Sequence, residues 1–553
     1  MKKQTVQIAD LLHMRIWLVA MCIVLMNHTV VAQQKNIPIQ RYFTQEVERS
    51  LFADSTQLVH TACKPVLESR INLMRIAGYA KDSLKVYETY EDKVLRSHLL
   101  QIKLKEKIFD ESLVEKKTED IFIAIDPIFD FSLAFDFADT SIYADTTNLI
   151  NNTRGVQIVG DLGEHFSFQT GFYENQTFLP LYLKAFADST GVMPGMGRTK
   201  PFPVPAAAGY DYAMAYGNIS YSPTANLNFQ FGHTKNFVGH GYRSLLLSDA
   251  SMNYPYLKAT VWLFDGKVQY TAAYASLQSL ERLPLGEVPE ALFKRKGYSY
   301  NYLSWMPTRK IELGLFEAIV WKRYDEEKGA QPQHYGAYLP VIGFNTAVNG
   351  LHNVNNVLLG ANAKWQLSKS AFVYGQIAAD DPGVGAVGYQ AGIKYFDLLL
   401  KYLDIQIEWN SLGDNLYASE YALQSYTHTN QPLGHPTGPA TNELVGILNY
   451  RWHRVIAQVK YNQIAHGTAP EGSWRNNPAV VTETFAPWPV KQVQQWELQA
   501  GVYLNPKTNL QLLVGWTDRV EKIDYNWQND FSQHTSMLYI ALRTGFINRY
   551  ADF

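Results

Sequence analysis

Cysteine is almost absent from this chain, with two residues in 553. Cys22 lies inside an apolar N-terminal stretch, so Cys63 stands alone beyond it and no disulfide can brace the remainder. The fold must rest on a core or on a closed backbone hydrogen-bond network. Excess charge of one sign is missing too. Forty-nine basic residues against 51 acidic ones leave no basic surface for nucleic acid or a polyanionic partner. Beyond the N-terminal stretch, no run approaches the roughly 18 apolar residues of a membrane-spanning helix. HExxH, paired CxxC, a Walker loop and GxSxG are likewise absent, so no cofactor, metal or catalytic residue is assigned. "GVGAVG" at Gly383 to Gly388 has dinucleotide-binding spacing, but an alternating segment follows where a helix is required, and it reads as a glycine turn.

What is present divides the chain in three. Residues 1–32 carry Lys2, Lys3 and Arg15, an apolar core from Ile16 to Met26, and the small-residue site Val30-Val31-Ala32, the pattern of a cleavable secretory signal peptide. Lipidation is not expected, because Cys22 sits within the apolar core. Residues 33–119 have helical spacing, with stripes at Phe43, Val47 and Leu51 and at Val94, Leu95, Leu99 and Ile102, and are expected to form a small helical periplasmic segment. From residue 120 to 553 the period becomes two. In "YLDIQIEWN", Leu403, Ile405, Ile407 and Trp409 point one way and Asp404, Gln406, Glu408 and Asn410 the other. "VLLGANAKWQL", "VIAQVKYN" and "NLQLLVGWTD" repeat the design.

Alternation alone does not choose between a soluble sandwich and a membrane barrel. Connection lengths do. "SPTAN", "DGK", "MPTRK", "LSKS", "RWHR" and "NPKTN" are tight turns, and longer polar loops lie between them. Tight turns on one rim and long loops on the other are the pattern of outer-membrane barrels. The expected fold is an all-β transmembrane barrel of about 18 antiparallel strands, an even number that brings both ends to the periplasmic side. Trp305, Trp321, Trp452 and Tyr503 at strand ends are expected to form interfacial girdles facing lipid. The terminal Phe553 resembles the assembly signal of such barrels.

"GHTKNFVGHGYRSLLLSDASMNYPYLKATVW", "GLHNVNNVLLGANAKWQLSKSAFVYGQIAADD" and the closing "NRYADF" resemble the Wzi family of capsule-assembly barrels, specifically Bacteroidetes relatives of the RemB gliding-motility type. The resemblance implies a barrel with helices at its periplasmic end and a non-enzymatic role in attaching or organising surface polysaccharide (capsule), or in gliding motility. The implied partners are outer-membrane lipid, surface polysaccharide, and gliding or secretion machinery. It carries over no ligand residues.

Candidate sites follow from the residues. Glu312, Lys364, Asp404, Glu408, Lys460 and Glu497 fall on inward faces and are expected to form a paired polar network in the lumen. In an open barrel they would instead set solute selectivity, which is the diffusion-channel alternative. The longest loops carry Tyr417, Tyr421, Tyr426, Trp474 and Trp488 among amides and charges, a mixture suited to stacking on sugar rings or to packing loops on one another. "VGHGYRSLLLSD" is expected to shape the extracellular mouth, with Gly239 and Gly241 permitting a tight fold-back and Arg243 paired to a carboxylate. His240, Tyr242 and Arg243 are its candidate ligand contacts, alongside Tyr426, Trp474 and Trp488. A barrel hydrolase would draw on His233 or His240 with Ser244 or Ser248 and Asp249.

Overall fold

Two-residue periodicity becomes eighteen paired strands in the computed structural model, which describes residues 34–53, 58–71, 105–202, 209–284, 292–331, 335–349, 355–380, 386–419, 421–467, 490–524, 531–545 and 548–553. They are β1 (Ile121–Asp136), β2 (Leu149–Leu162), β3 (Phe166–Thr177), β4 (Tyr210–Thr224), β5 (Leu227–Thr234), β6 (Tyr254–Leu263), β7 (Val268–Arg282), β8 (Phe293–Thr308) and β9 (Ile311–Lys322). The second half comprises β10 (Asn356–Gln366), β11 (Ala371–Ala379), β12 (Val387–Tyr395), β13 (Leu403–Leu412), β14 (Thr441–Trp452), β15 (Val455–Gly467), β16 (Val490–Asn505), β17 (Leu510–Asp524) and β18 (Phe531–Thr544). Each pairs antiparallel with the next, and β18 returns to β1 with Leu538 opposite Phe135, which closes the sheet. Closure satisfies every strand from its two neighbours, the one way a sheet can stand in hydrocarbon without an edge.

Connections after even-numbered strands are tight, such as residues 309–310 and 453–454. Those after odd-numbered strands include the long segments 178–209, 235–253, 323–355 and 413–440. The expected rims are therefore present. Outward residues such as Leu315, Ile407, Trp409, Val514 and Ile540 are exposed, while their inward neighbours Glu312, Glu408, Asn410 and Gln511 are buried.

Residues 34–53 and 58–71 run inside the barrel. Arg41–Ala53 forms a helix, α1, that carries Phe43, Val47 and Leu51. Val47 packs with Ile37, Val59 and Ile71, and the Phe52 ring stacks on Phe372 of the inner wall at 4.6 Å. Val114–Lys117, also in the stretch read as helical, is extended and pairs with β1. The leader, and Val94, Leu95, Leu99 and Ile102, lie outside the described residues.

Two of the four girdle residues need correcting. Trp305 and Trp452 stand exposed, but Tyr503 turns inward beside Ile456 and Leu513, and Trp321 is covered. Its cover is a strap, residues 335–349, that folds from the long connection after β9 onto the outer wall. Trp321 meets Tyr338 edge-on at 5.5 Å and packs with Ala337 and Val357. The strap also buries a carboxylate. Glu317 shares its outward face with Leu313 and Leu315 yet is 0% exposed, because it accepts hydrogen bonds from Gly343 N at 3.0 Å and Thr346 Oγ1 at 2.8 Å. Ser299 and the Tyr274 hydroxyl donate to carbonyls of the same strap. Leu339, Val341, Phe344 and Val348 of the strap then face outward in place of this polar strip.

A lipid-facing carboxylate without partners is costly. Excising residues 337–346 should lower unfolding stability by roughly 2–3 kcal/mol, and Glu317→Leu in the shortened protein should recover most of the loss. Urea unfolding in a bilayer measures both; a shortened barrel that Glu317→Leu does not rescue would contradict the assignment.

Candidate functional site: the filled lumen

Residues 235–253, which contain the HTKNFVGHGYRSLLLSD stretch, turn into the lumen rather than out over the mouth. Phe237 and Val238 pair as a two-residue ladder with Cys63 and Lys64 from the N-terminal stretch, and Lys64 Nζ donates to Gly239 O at 2.8 Å. The glycines let the chain lie on the wall. Gly239 has φ 147°, and a Cβ there would strike Gln376, while one on Gly241 would strike the Glu408 carboxylate. Inner-wall side chains satisfy the backbone that this leaves without a ladder. Glu408 accepts from Tyr242 N at 2.6 Å and Arg243 N at 2.9 Å, Gln376 accepts from Leu245 N at 2.8 Å, and Gln390 donates to Arg243 O at 3.1 Å. Leu245, Leu246 and Leu247 enter a tyrosine-lined pocket with Tyr254, Tyr298, Tyr300 and Tyr302.

Arg243 is the centre of the ion network. Fully buried, its guanidinium holds Glu443 of β14 through Nη2 at 2.7 Å and through Nε, and reaches Asp552 Oδ1 with Nη1 at 3.2 Å. His435 Nε2 lies 2.7 Å from the other Glu443 oxygen. Lys460 bridges Glu497 at 2.6 Å and Asp552 at 3.1 Å, and Tyr242 donates to Asp552 at 2.5 Å. Burial alone would raise the Asp552 carboxyl; Arg243 and Lys460 outweigh it and hold the group below its ordinary value. A second cluster joins Lys364 to Glu312 at 2.7 Å and Glu312 to the backbone of Thr61 and Ala62. In a third, Asp404 takes Gln45 and Arg49 of α1.

The six residues expected in a lumen network are thus all buried or half-buried inside: Lys364 pairs with Glu312 and Lys460 with Glu497 across the wall, while Asp404 and Glu408 hold the filling segments. Glu443, Asp552, Arg49 and Glu48 are among the further charges paired inside and were not anticipated. Glu443 had a readable signal, since Thr441, Glu443, Val445 and Ile447 alternate inward in "TNELVGILNY".

Of the two readings of the loop aromatics, packing of loops on one another holds for two of the three described, and Tyr426 is not an exposed ligand contact. Tyr417 and Tyr426 stack at 5.6 Å and donate to the carbonyls of Leu245 and Leu246, so both are sealed under the leucines. Tyr421 is 52% exposed. Trp474 and Trp488 lie outside the described residues. His240, Tyr242 and Arg243 are buried at the wall, where they position the inserted segment. The hydrolase set is not assembled: Ser244 and Ser248 donate to the backbone carbonyls of Val238 and Gly434, and Asp249 binds Tyr550 and Asn548. His240 instead approaches Thr61 and, at 3.7 Å, Glu312; burial pushes its imidazole well below the ordinary value against the pull of that carboxylate. Residues 548–553 also fold inward rather than continuing β18, and Phe553 meets Phe186 of helix α2 (Leu181–Thr190) at 4.8 Å.

A solved structure of Wzi, an outer-membrane protein of Escherichia coli described as involved in group 1 capsule assembly and as a carbohydrate-binding β-barrel, superposes with a TM-score of 0.52. Identity is 13%, over 93% of this chain and 99% of that one. The chain has an outer-membrane barrel fold. OpdK of Pseudomonas aeruginosa (TM-score 0.42, 11% identity, 77% of this chain and 99% of that one) and OccAB2 of Acinetobacter baumannii (0.41, 12%, 76% and 97%) are more distant. No protein-family model matches, and no curated protein does.

Removing Arg243 takes the guanidinium from two buried carboxylates and leaves Glu443 with His435 and Asp552 with Lys460, so Arg243→Ala should destabilise the inserted segment by about 3 kcal/mol. Planar-bilayer recordings should show frequent channel openings in the variant and none that are large and stable in the wild type; equal conductance would refute this account of closure. Acid should also loosen the loop at 413–440. His428 is neutral and fully used: Nδ1 accepts from Gln278 N at 3.1 Å and Nε2 lies 3.1 Å from Asn253 O, and burial holds its pKa at about 3. An undocked His428 takes up a proton near pH 6.5, whereas the docked one refuses it until about pH 3. Docking is therefore at full strength above pH 6.5 and weakens by up to about 1.4 kcal/mol per pH unit below it. Hydrogen exchange of this loop at pH 7 and pH 5 should show the loss, and His428→Asn should abolish the difference.

Proposed function

We propose that this protein is a non-enzymatic outer-membrane barrel that attaches or organises surface polysaccharide, with gliding motility as the alternative surface process it serves. The observation that carries the reading is the filled lumen. Three parts of the chain, residues 34–53 with 58–71, residues 235–253 and residues 548–553, meet inside the barrel and are pinned to its wall by buried ion pairs. A barrel so occupied is poorly suited to diffusion and well suited to presenting fixed loops. The likeness of its whole fold to a barrel described as carbohydrate-binding supports the same conclusion. Glycan contact is assigned to the long-loop rim, at Tyr421 and at Trp474 and Trp488 in the connection between β15 and β16. Aromatic faces there suit the apolar faces of sugar rings. His240, Tyr242, Arg243 and Tyr426 would support these loops from beneath.

Deletion of the gene in its host should reduce capsule retention or surface spreading. Complementation with Trp474→Ala/Trp488→Ala should restore the barrel to the membrane without restoring the phenotype. Normal capsule and normal spreading in the deletion strain would overturn the proposal.

A further inference from the structure

At the opposite, tight-turn end, a cleft of about 160 Å³ lies between α1 and the inner wall of β12 to β18. Its wall is built from amides. Asn449, Gln458 and Gln499 are direct cross-strand partners on three successive strands, next to Asp404. They form an oriented relay: Gln458 Nε2 donates to Asn449 Oδ1 at 2.7 Å, Asn449 Nδ2 to Gln45 Oε1 at 3.1 Å, and Gln45 Nε2 to Asp404 at 2.6 Å. A chain of donors polarised toward a carboxylate leaves its first carbonyl a free acceptor. Among the described residues, the Gln458 side-chain oxygen has no partner, nor do those of Gln406 and Gln511, whose amide nitrogens donate to the Tyr374 hydroxyl and Asn509 Oδ1.

The charges around the cleft are already engaged. Lys394 at 2.7 Å and Lys64 at 3.8 Å share Glu48, Lys460 bridges Glu497 and Asp552, Arg543 and Arg549 share Asp130, and Asp404 holds Arg49. Arg41 is stacked between the Tyr242 and Tyr550 rings and donates to Tyr242 O. An ionic ligand therefore gains little here, and an apolar one would strand the amide oxygens. A ligand rich in hydroxyls with one apolar face satisfies both the amides and the rings of Tyr242, Phe237 and Phe396 that also line the space. The volume is several times the ~30 Å³ share of a water and below the ~300–1,000 Å³ of larger ligand sites. It suits one ring.

We propose that this cleft is a saccharide subsite that takes a single neutral sugar ring of a glycan presented from the periplasmic side. It lies on the rim opposite the loops assigned to surface polysaccharide, and so it stands or falls separately from that reading. Its walls are wall strands and α1, and both are held by the ion pairs that fix the lumen.

The test is calorimetric titration and saturation-transfer NMR of the full-length protein in nanodiscs, with D-glucose, N-acetyl-D-glucosamine and D-glucuronate as probes. Neutral sugars should bind, with glucuronate weaker. Gln458→Leu and Gln511→Leu should each weaken neutral-sugar binding about tenfold with an unchanged thermal transition, while Trp474→Ala/Trp488→Ala should bind as wild type. Should either leucine variant fail to fold, Thr44→Trp, which fills the cleft from the α1 side, should abolish binding instead. A cleft that holds only water gives no saturation transfer, and that result overturns the proposal; so does a preference for glucuronate, or sugar binding that the cleft variants leave unchanged. A deletion strain that retains normal capsule and spreading, with sugar binding intact at the cleft, would sink the surface reading alone.

Discussion

The lumen depends on Arg243. A guanidinium with no solvent exposure cannot shed its charge, so the fold must bring it carboxylates, and it draws them from two distant parts of the chain: Glu443 on the wall and Asp552 near the last residue. Tyr242 beside it donates to Asp552 and lies under the Arg41 guanidinium at 3.7 Å, which couples α1 to the same centre. Wall, inserted loop, C-terminal residues and N-terminal helix thus share one set of charges. Removing any one member weakens the hold on the others, as Asp552 would keep Lys460 but lose Arg243, which makes the filling cooperative.

Closure of eighteen strands creates the need for this arrangement. A barrel of that width encloses a space that side chains projecting from the wall alone cannot fill. The wall's inward polar residues would otherwise face water. Here they serve as backbone partners for segments that have almost no secondary structure of their own. Glu408 and Gln376 each take backbone N–H groups of the inserted loop, and Glu312 takes those of Thr61 and Ala62. These contacts supply partners that an irregular buried segment lacks within itself.

Strands, the number of crossings and the two kinds of rim were legible because side chains alternate at a period of two and turn residues mark each reversal. Glu312 and Lys364 were readable as inward and prove to be cross-strand partners. The filling was not legible in the same way. Arg243 is separated by 200 residues from Glu443 and by 309 from Asp552, and no local pattern signals such a pairing. Leu245 to Leu247 did hold a clue, since three consecutive apolar residues in a loop are uncomfortable in water. Tyr417 and Tyr426 misled because an aromatic among hydrogen-bonding residues looks alike whether it faces a sugar or another loop. Glu317 was hidden by parity: alternation places it outward, and only the strap, whose own sequence is not periodic, explains a carboxylate there.

The polarity of the interior is graded along the barrel axis. Beneath the long loops it is dry, packed with Leu245 to Leu247 against Tyr254, Tyr298, Tyr300, Tyr417 and Tyr426. At mid-height lie the paired ions around Arg243. Toward the tight-turn end the same strands carry Asn449, Gln458, Gln499 and Gln511. Charges are present at that end too, each engaged by a neighbour, as Lys394 is by Glu48 and Asp404 by Arg49, while an unpaired amide would be costly in the packed core above, where it loses its hydration. The consequence is directional: the outer mouth is closed by packing, in which even the Tyr300 hydroxyl is buried without a partner among the described residues, whereas at the inner mouth the side-chain oxygens of Gln406, Gln458 and Gln511 line an open cleft.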